Sequence, residues 1–136
     1  MQRFDVSCFL GRWSEGGPTL ATVSELLSAM DSLGIARALV RHSLGKEYFP
    51  PDANALLFEE LAGQDRLAPC PVALPLSTGE MGPPEVWLAQ WTACDVRATC
   101  LYPQTHGYPL APWQCDSLLA PLAERRMPVL IELAQT

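Results

Sequence analysis

Apolar residues along this chain come in short blocks whose spacing switches between that of strands and that of helices. Phe4-Asp5-Val6-Ser7-Cys8-Phe9-Leu10-Gly11 is compact and mostly apolar and reads as a first strand. Arg12 to Leu20 contains Gly and Ser and is a loop. Thr22-Val23-Ser24-Glu25 then forms a capping box, in which the Thr22 hydroxyl accepts from the Glu25 amide and the Glu25 carboxylate reaches back. Val23, Leu26, Leu27, Met30 and Leu33 follow at helical spacing as one apolar stripe. Gly34 ends the helix, because a residue without Cβ adopts the left-handed conformation cheaply.

The alternation continues to the end of the chain. Ile35 to Val40 is a second strand, finishing near Arg41-His42-Ser43. A loop containing Pro50-Pro51 leads to Asp52, the expected N-cap of a helix that buries Ala53, Leu56, Leu57 and Leu61 and stops at Gly63. Leu67 to Leu74 is a third strand, made irregular by Pro69 and Pro71, each of which removes a ladder donor. Pro83-Pro84 opens a third helix, where a missing amide costs nothing, and Trp87, Leu88 and Trp91 form its packing face. Val96 to Leu101 is a fourth strand and Tyr102 to Pro112 a long loop. A fourth helix runs from about Trp113 to Arg126 with Leu118, Leu119 and Leu122 inward, and Pro121 is expected to kink or interrupt it. Met127 to Leu133 is a fifth strand.

Composition narrows the class. With 49% hydrophobic and 18% charged residues in 136, the chain has enough apolar material for a core and reads as one domain, residues 1–136. Nine Lys and Arg against 15 Asp and Glu give a net charge of −6, which repels nucleic acid and anionic membrane surfaces, so neither is an expected partner. No apolar run approaches the roughly 20 residues of a membrane span. The start, Met1-Gln2-Arg3-Phe4-Asp5, lacks a basic region followed by an apolar one, so no signal peptide is expected. Cys8, Cys70, Cys94, Cys100 and Cys115 form no CxxC pair, and their odd number argues against a full disulfide framework. Buried free thiols in a reducing cytoplasm are the expectation.

Strand–helix alternation with short turns implies parallel strands. Two architectures fit: an open sheet with helices on both faces, or an arc of a barrel with helices on one face. The first strand carries the feature that separates them. Its Asp5 and Gly11, with Ser7 and Phe9 between, resemble the opening of the amidohydrolase-related branch of the amidohydrolase superfamily, whose pattern is apolar-Asp-x-His-x-His-x-Gly. The run Leu26 to Val40 is similar to that family's first helix and second strand. Asp52-Ala53-Asn54, Arg66-Leu67-Ala68-Pro69, Leu101-Tyr102-Pro103 and Pro128-Val129-Leu130-Ile131-Glu132 resemble its later landmarks, in order.

That resemblance implies an α/β fold built as a partial TIM-barrel-like (β/α) arc. About five parallel strands would stand in the order 1-2-3-4-5 with four helices on the convex side, the first five-eighths or so of a full barrel. It also implies metal-dependent hydrolysis or decarboxylation of a small molecule, with a divalent metal such as zinc as the family's usual cofactor. This chain departs from the pattern at the ligands. Ser7 and Phe9 stand where the two histidines belong, and neither can replace an imidazole. Glu132 stands where the family often has a metal-binding histidine on the fifth strand, and the remaining family ligands would lie beyond Thr136. No metal site is therefore expected. The alternative is a non-catalytic α/β module that binds a small molecule or associates with itself.

In such a fold the C-terminal strand ends and the loops after them carry function. His106 and His42 are the candidates for proton transfer, because imidazole titrates near neutral pH; a histidine satisfied by backbone or water is the competing reading of each. His106 lies on the long loop with Tyr108 beside it. Arg41, Tyr102, Tyr108 and Glu132 are the candidate substrate-binding residues. Ser7 lacks the Gly-x-Ser-x-Gly elbow of a nucleophile and reads as a small inward filler. An arc of about five strands would also leave two unpaired edges and an apolar inner face, so self-association through the sheet edges is expected.

Overall fold

The computed structural model describes residues 2–136. Three parallel strands form one sheet in the order β1 (Arg3–Leu10), β2 (Ile35–His42), β3 (Leu67–Pro69), and two more, β4 (Thr99–Leu101) and β5 (Val129–Ile131), form a second. Five α-helices connect them: α1 (Val23–Leu33), α2 (Ser43–Glu47), α3 (Pro50–Leu61), α4 (Pro84–Ala93) and α5 (Pro112–Glu124). Single 3₁₀ turns occur at Leu76–Thr78 and Leu133–Gln135.

The α/β class and the parallel, sequential pairing within each sheet agree with the expectation; the continuous barrel-like arc does not form. The sheets are separate, and one parallel bridge, Val72 with Cys100, touches both flanks of the gap. The cause lies between Pro69 and Leu74, where a long third strand was expected and only Leu67–Pro69 is regular. Cys100 donates to the Pro71 carbonyl at 3.0 Å and accepts from the Ala73 amide at 3.1 Å, but Pro71 has no amide with which to carry the ladder back along β4. On the other flank Asn54 of α3 takes both backbone groups of Val72, donating through Nδ2 to its carbonyl and accepting at Oδ1 from its amide, each at 2.8 Å. A buried side chain has replaced a neighbouring strand.

Apolar periodicity places the helices as expected. Leu26 and Met30 of α1 and Leu57 and Leu61 of α3 pack on Cys8, Leu10, Ala38, Val40 and Leu67. Trp87, Leu88 and Trp91 of α4 and Leu118 and Leu122 of α5 pack on Ala73 and Leu101. Leu39, Cys70, Val72, Ala98, Cys100 and Tyr102 make a third cluster on the other side of the strands. Thr22 caps α1 by accepting from the Glu25 amide, Glu25 reaches back to the Ala21 amide at 2.9 Å, and Gly34 adopts φ +68°. Pro121 lies inside α5 without ending it.

Three local details differ from the sequence reading. Asp52 is not an N-cap: Pro50 and Pro51 are already the first helical residues of α3, and Phe49 precedes them. The expected fourth and fifth strands shrink to three residues each. Finally α2 brings the helices to five where four were expected. It follows β2 at once, and its Gly45 is buried against Val72, whose Cγ2 would lie 2.8 Å from any Cβ there.

Candidate functional site

β1 does not keep the simple alternation that would aim Asp5, Ser7 and Phe9 to one face. Its register shifts between Asp5 and Cys8, so Asp5 stands opposite Ala38 while Phe9 stands opposite Arg41. The Asp5 carboxylate accepts from the Ser7 amide at 2.8 Å and stabilises this bulge. The bulge re-aims Ser7, which is exposed rather than an inward filler, toward the end of β2.

Arg41, one residue from the end of β2, is the centre of the arrangement. The residue is 5% exposed. Nη2 donates to Ser7 Oγ at 2.8 Å, and Nη1 donates to Tyr102 Oη at 3.3 Å and to Glu132 Oε1 at 3.2 Å. The guanidinium carbon lies 4.2 Å from the centre of the Phe9 ring, a cation–π contact. Glu132 follows β5 directly, and its Oε2 accepts from Lys46 Nζ at 2.6 Å. Lys46, carried by α2, also lies 5.4 Å from the Tyr102 ring centre. Three other chain segments thus touch one guanidinium, and α2 joins them through Lys46 on Glu132 and Tyr102. Burial works against the Arg41 charge while Tyr102, Cys100 and Cys70 favour it, and the net direction is upward, so the charge is permanent. Burial, followed by the nearby Cys100, pushes the Tyr102 phenol up, which keeps it a neutral hydrogen-bonding group.

Of the residues singled out from the sequence, Arg41, Tyr102 and Glu132 are brought together. His106 borders the group. Its ring meets Tyr102 edge-on at 5.7 Å, its Nε2 is 3.2 Å from the Lys46 carbonyl, and its Nδ1 is buried without a partner. Burial lowers its pKa, against a smaller opposing effect from that carbonyl. His42 and Tyr108 lie elsewhere. His42 caps α2, its Nδ1 accepting from the Leu44 amide at 3.2 Å, and its Nε2 is 3.7 Å from Glu60. Burial lowers its pKa too, so the capping imidazole is neutral at pH 7. Tyr108 packs with Leu74 and Cys115, its hydroxyl buried and unpartnered.

Lys46 has no signal in the sequence, because the five residues of α2 are too few to show a helical period, and nothing local marks Ser7 and Phe9 as partners of Arg41. The only usable signal is that Ser7 and Phe9 share the first strand's C-terminal half.

The donor set does not suit a metal ion. Among the described residues no group of three or more His, Cys, Asp and Glu is arranged to hold one. Ser7, Phe9 and Glu132, at the expected ligand positions, all contact Arg41. A centre that already holds Arg41 and Lys46 against one carboxylate repels a further cation.

A cleft of about 970 Å³ lies at the other end of β2, lined by Phe4, Arg37, Leu39, Phe58, Leu67 and Arg97 among others. Its charges do not converge: Arg97 is exposed and paired locally with Asp95. Convergence of polar groups favours the Arg41 cluster as the site. No helix is long and apolar enough to cross a membrane among the described residues. Comparison of the chain with protein-family models, with curated proteins and with solved structures finds no match.

Proposed function

We propose that this chain is a non-catalytic small-molecule-binding α/β module, a relative of the amidohydrolase-related family in which a fixed guanidinium has taken over from a metal. One observation carries the reading: Ser7, Phe9 and Glu132, the positions where the resemblance calls for metal ligands, all touch Arg41, at 2.8 Å, 4.2 Å and 3.2 Å. A guanidinium supplies charge and directed donors but has no coordination position at which to ionise a water. Hydrolysis or decarboxylation through a metal-bound hydroxide therefore draws no support from this donor set. Binding does, since Lys46, Glu132 and Ser7 reach solvent while Arg41 and Tyr102 form a buried floor.

A panel of small polar compounds tested by thermal shift on the wild-type chain and on Arg41→Met decides it. Stabilisation by at least one compound, lost in Arg41→Met, is expected, together with no turnover of ester or amide substrates on adding zinc. Zinc-dependent turnover abolished by Glu132→Ala would restore the hydrolytic reading.

Self-association has its own supporting observation. β1 is an edge strand whose Phe4 and Val6 are 54% and 56% exposed, the arrangement that invites a second copy. Sedimentation velocity over a concentration series, with Phe4→Lys and Val6→Lys combined, tests it: a larger species absent from the double variant is expected, and a wild-type monomer throughout rejects it. The five cysteines are all unpaired, which supports a reducing, cytoplasmic location.

A further inference from the structure

The Arg41 cluster already holds a carboxylate. Glu132 bridges two cations, one oxygen on Arg41 Nη1 and the other on Lys46 Nζ, in the way a bound organic acid would. It does not complete the site. Of the five N–H groups of a guanidinium, Nη1 serves Tyr102 and Glu132 and Nη2 serves Ser7, while Nε is buried with no acceptor. Arg41 is 5% exposed, so bulk water does not make up the difference.

We infer that this is a carboxylate-binding site in which Glu132 is the resident occupant, and that a small monocarboxylate binds by displacing it. The inference rests on the reading of the Arg41 cluster as the binding site and names its ligand class. Charge supports a monoanion: two cations face one carboxylate, and replacing that carboxylate by another restores the same balance. The Phe9 ring, 4.2 Å from the guanidinium, offers an apolar wall to a short organic tail, which inorganic phosphate lacks. Displacement calls for the Glu132 side chain to swing away from Arg41 and Lys46 toward solvent. Glu132 leaves β5 in extended conformation, its side chain is 27% exposed, and the next residue, Leu133, is 91% exposed. The backbone beyond is anchored separately, Gln135 accepting from the Thr105 amide and donating to the Thr105 hydroxyl, both at 2.9 Å.

A tethered carboxylate competes with any free one, so its removal should strengthen binding. Acetate and inorganic phosphate are titrated at constant ionic strength into the wild-type chain, Glu132→Ala and Glu132→Gln, with circular dichroism as the fold check. The expected result is acetate affinity at least about tenfold higher in both variants than in the wild type, reduced again when Lys46→Met is added. Equal acetate affinity in all three proteins overturns the inference, as does phosphate binding tighter than acetate. Should neither variant fold, acetate must still raise the wild-type melting temperature above its value in chloride, and no rise rejects the proposal. Panel compounds that stabilise the wild type through Arg41, with no effect of Glu132 substitution, would sink this inference and leave the binding module standing. An acetate response confined to the Glu132 variants would overturn the inference too, because Glu132 would then hold its place in the wild type.

Discussion

Arg41 and Glu132 are 91 positions apart in sequence and meet at 3.2 Å. The pair ties the end of the three-stranded sheet to the end of the two-stranded one, beyond the single bridge at Val72 and Cys100. Because Arg41 is buried and Glu132 only partly so, the two substitutions are not equivalent. Removing the anion strands a buried cation, whereas removing the cation leaves a carboxylate that keeps Lys46 and some water.

Glu132→Gln is accordingly expected to cost about 1–3 kcal/mol of stability, and Lys46→Met less than about 1 kcal/mol. Urea denaturation of both variants checks the order. A larger loss in Lys46→Met would mean that the ammonium, not the guanidinium, is the main partner of Glu132.

Asn54→Ala removes both partners of the Val72 backbone inside the fold. Two buried polar groups would be left unsatisfied, a loss of about 2–4 kcal/mol. Asn54→Asp should recover little, because a carboxylate accepts from the Val72 amide but cannot donate to its carbonyl. Equilibrium unfolding of the pair is the measurement, and a near-neutral Asn54→Ala would contradict the account of why the sheets part.

Gly11 has φ +97°, and a Cβ there would lie 2.6 Å from Ser43 Oγ and 2.7 Å from His42 Cε1. Gly11→Ala should therefore destabilise by at least about 1–3 kcal/mol through backbone strain alone, with further loss from crowding the residue that caps α2. A melting temperature unchanged within error would count against this geometry.

Stability should also depend on pH through the two histidines. Burial lowers the pKa of His42 and of His106 from the ordinary 6.5, so the unfolded chain takes up protons that the folded chain resists. Their contribution is complete above the unfolded pKa and is lost as the pH falls from about 6.5 toward the lower folded values. Glu60, raised by burial and by Glu59, acts in the opposite direction in its own window above the usual 4.5. Urea midpoints between pH 8 and pH 5 should fall, and His42→Asn should flatten the slope. A midpoint that rises on acidification through this range would refute the assignment.

Thiol chemistry provides an independent check on burial. Cys94 is exposed, while Cys8, Cys70, Cys100 and Cys115 are buried. Burial, with help from Asp5, also pushes the Cys8 thiol up to about 11. A thiol reagent at pH 8 should thus modify one residue quickly, and Cys94→Ser should abolish that phase, the other four reacting only as the chain unfolds. Rapid labelling at a second position would show that part of the core opens readily.

Much of this was legible in the sequence wherever the signal was local. The first helix can be read from Thr22, Glu25 and Gly34 because each acts on backbone within four residues of itself. The packing faces of α4 and α5 follow from the spacing of Trp87, Leu88, Trp91, Leu118 and Leu122. Asp52 misled because a good capping residue three positions too late looks the same as one in place, and the prolines before it had already begun the helix. The short helix after β2 gave no periodic signal. His42 caps it, and its Gly45 is there to let Val72 approach, a contact across 27 positions of chain (72 − 45).

Class, strand direction and most helix faces were thus determined by the sequence itself, through propensities and periodicities that operate over a few residues. Tertiary structure alone decided that the strands divide into two sheets, because that depends on what Pro71 cannot donate and on how Asn54, from another element, occupies Val72. It alone decided the site as well. Arg41, Lys46, Glu132, Ser7, Phe9 and Tyr102 have no common spacing, and a guanidinium selects its partners by distance and direction in space rather than by position along the chain.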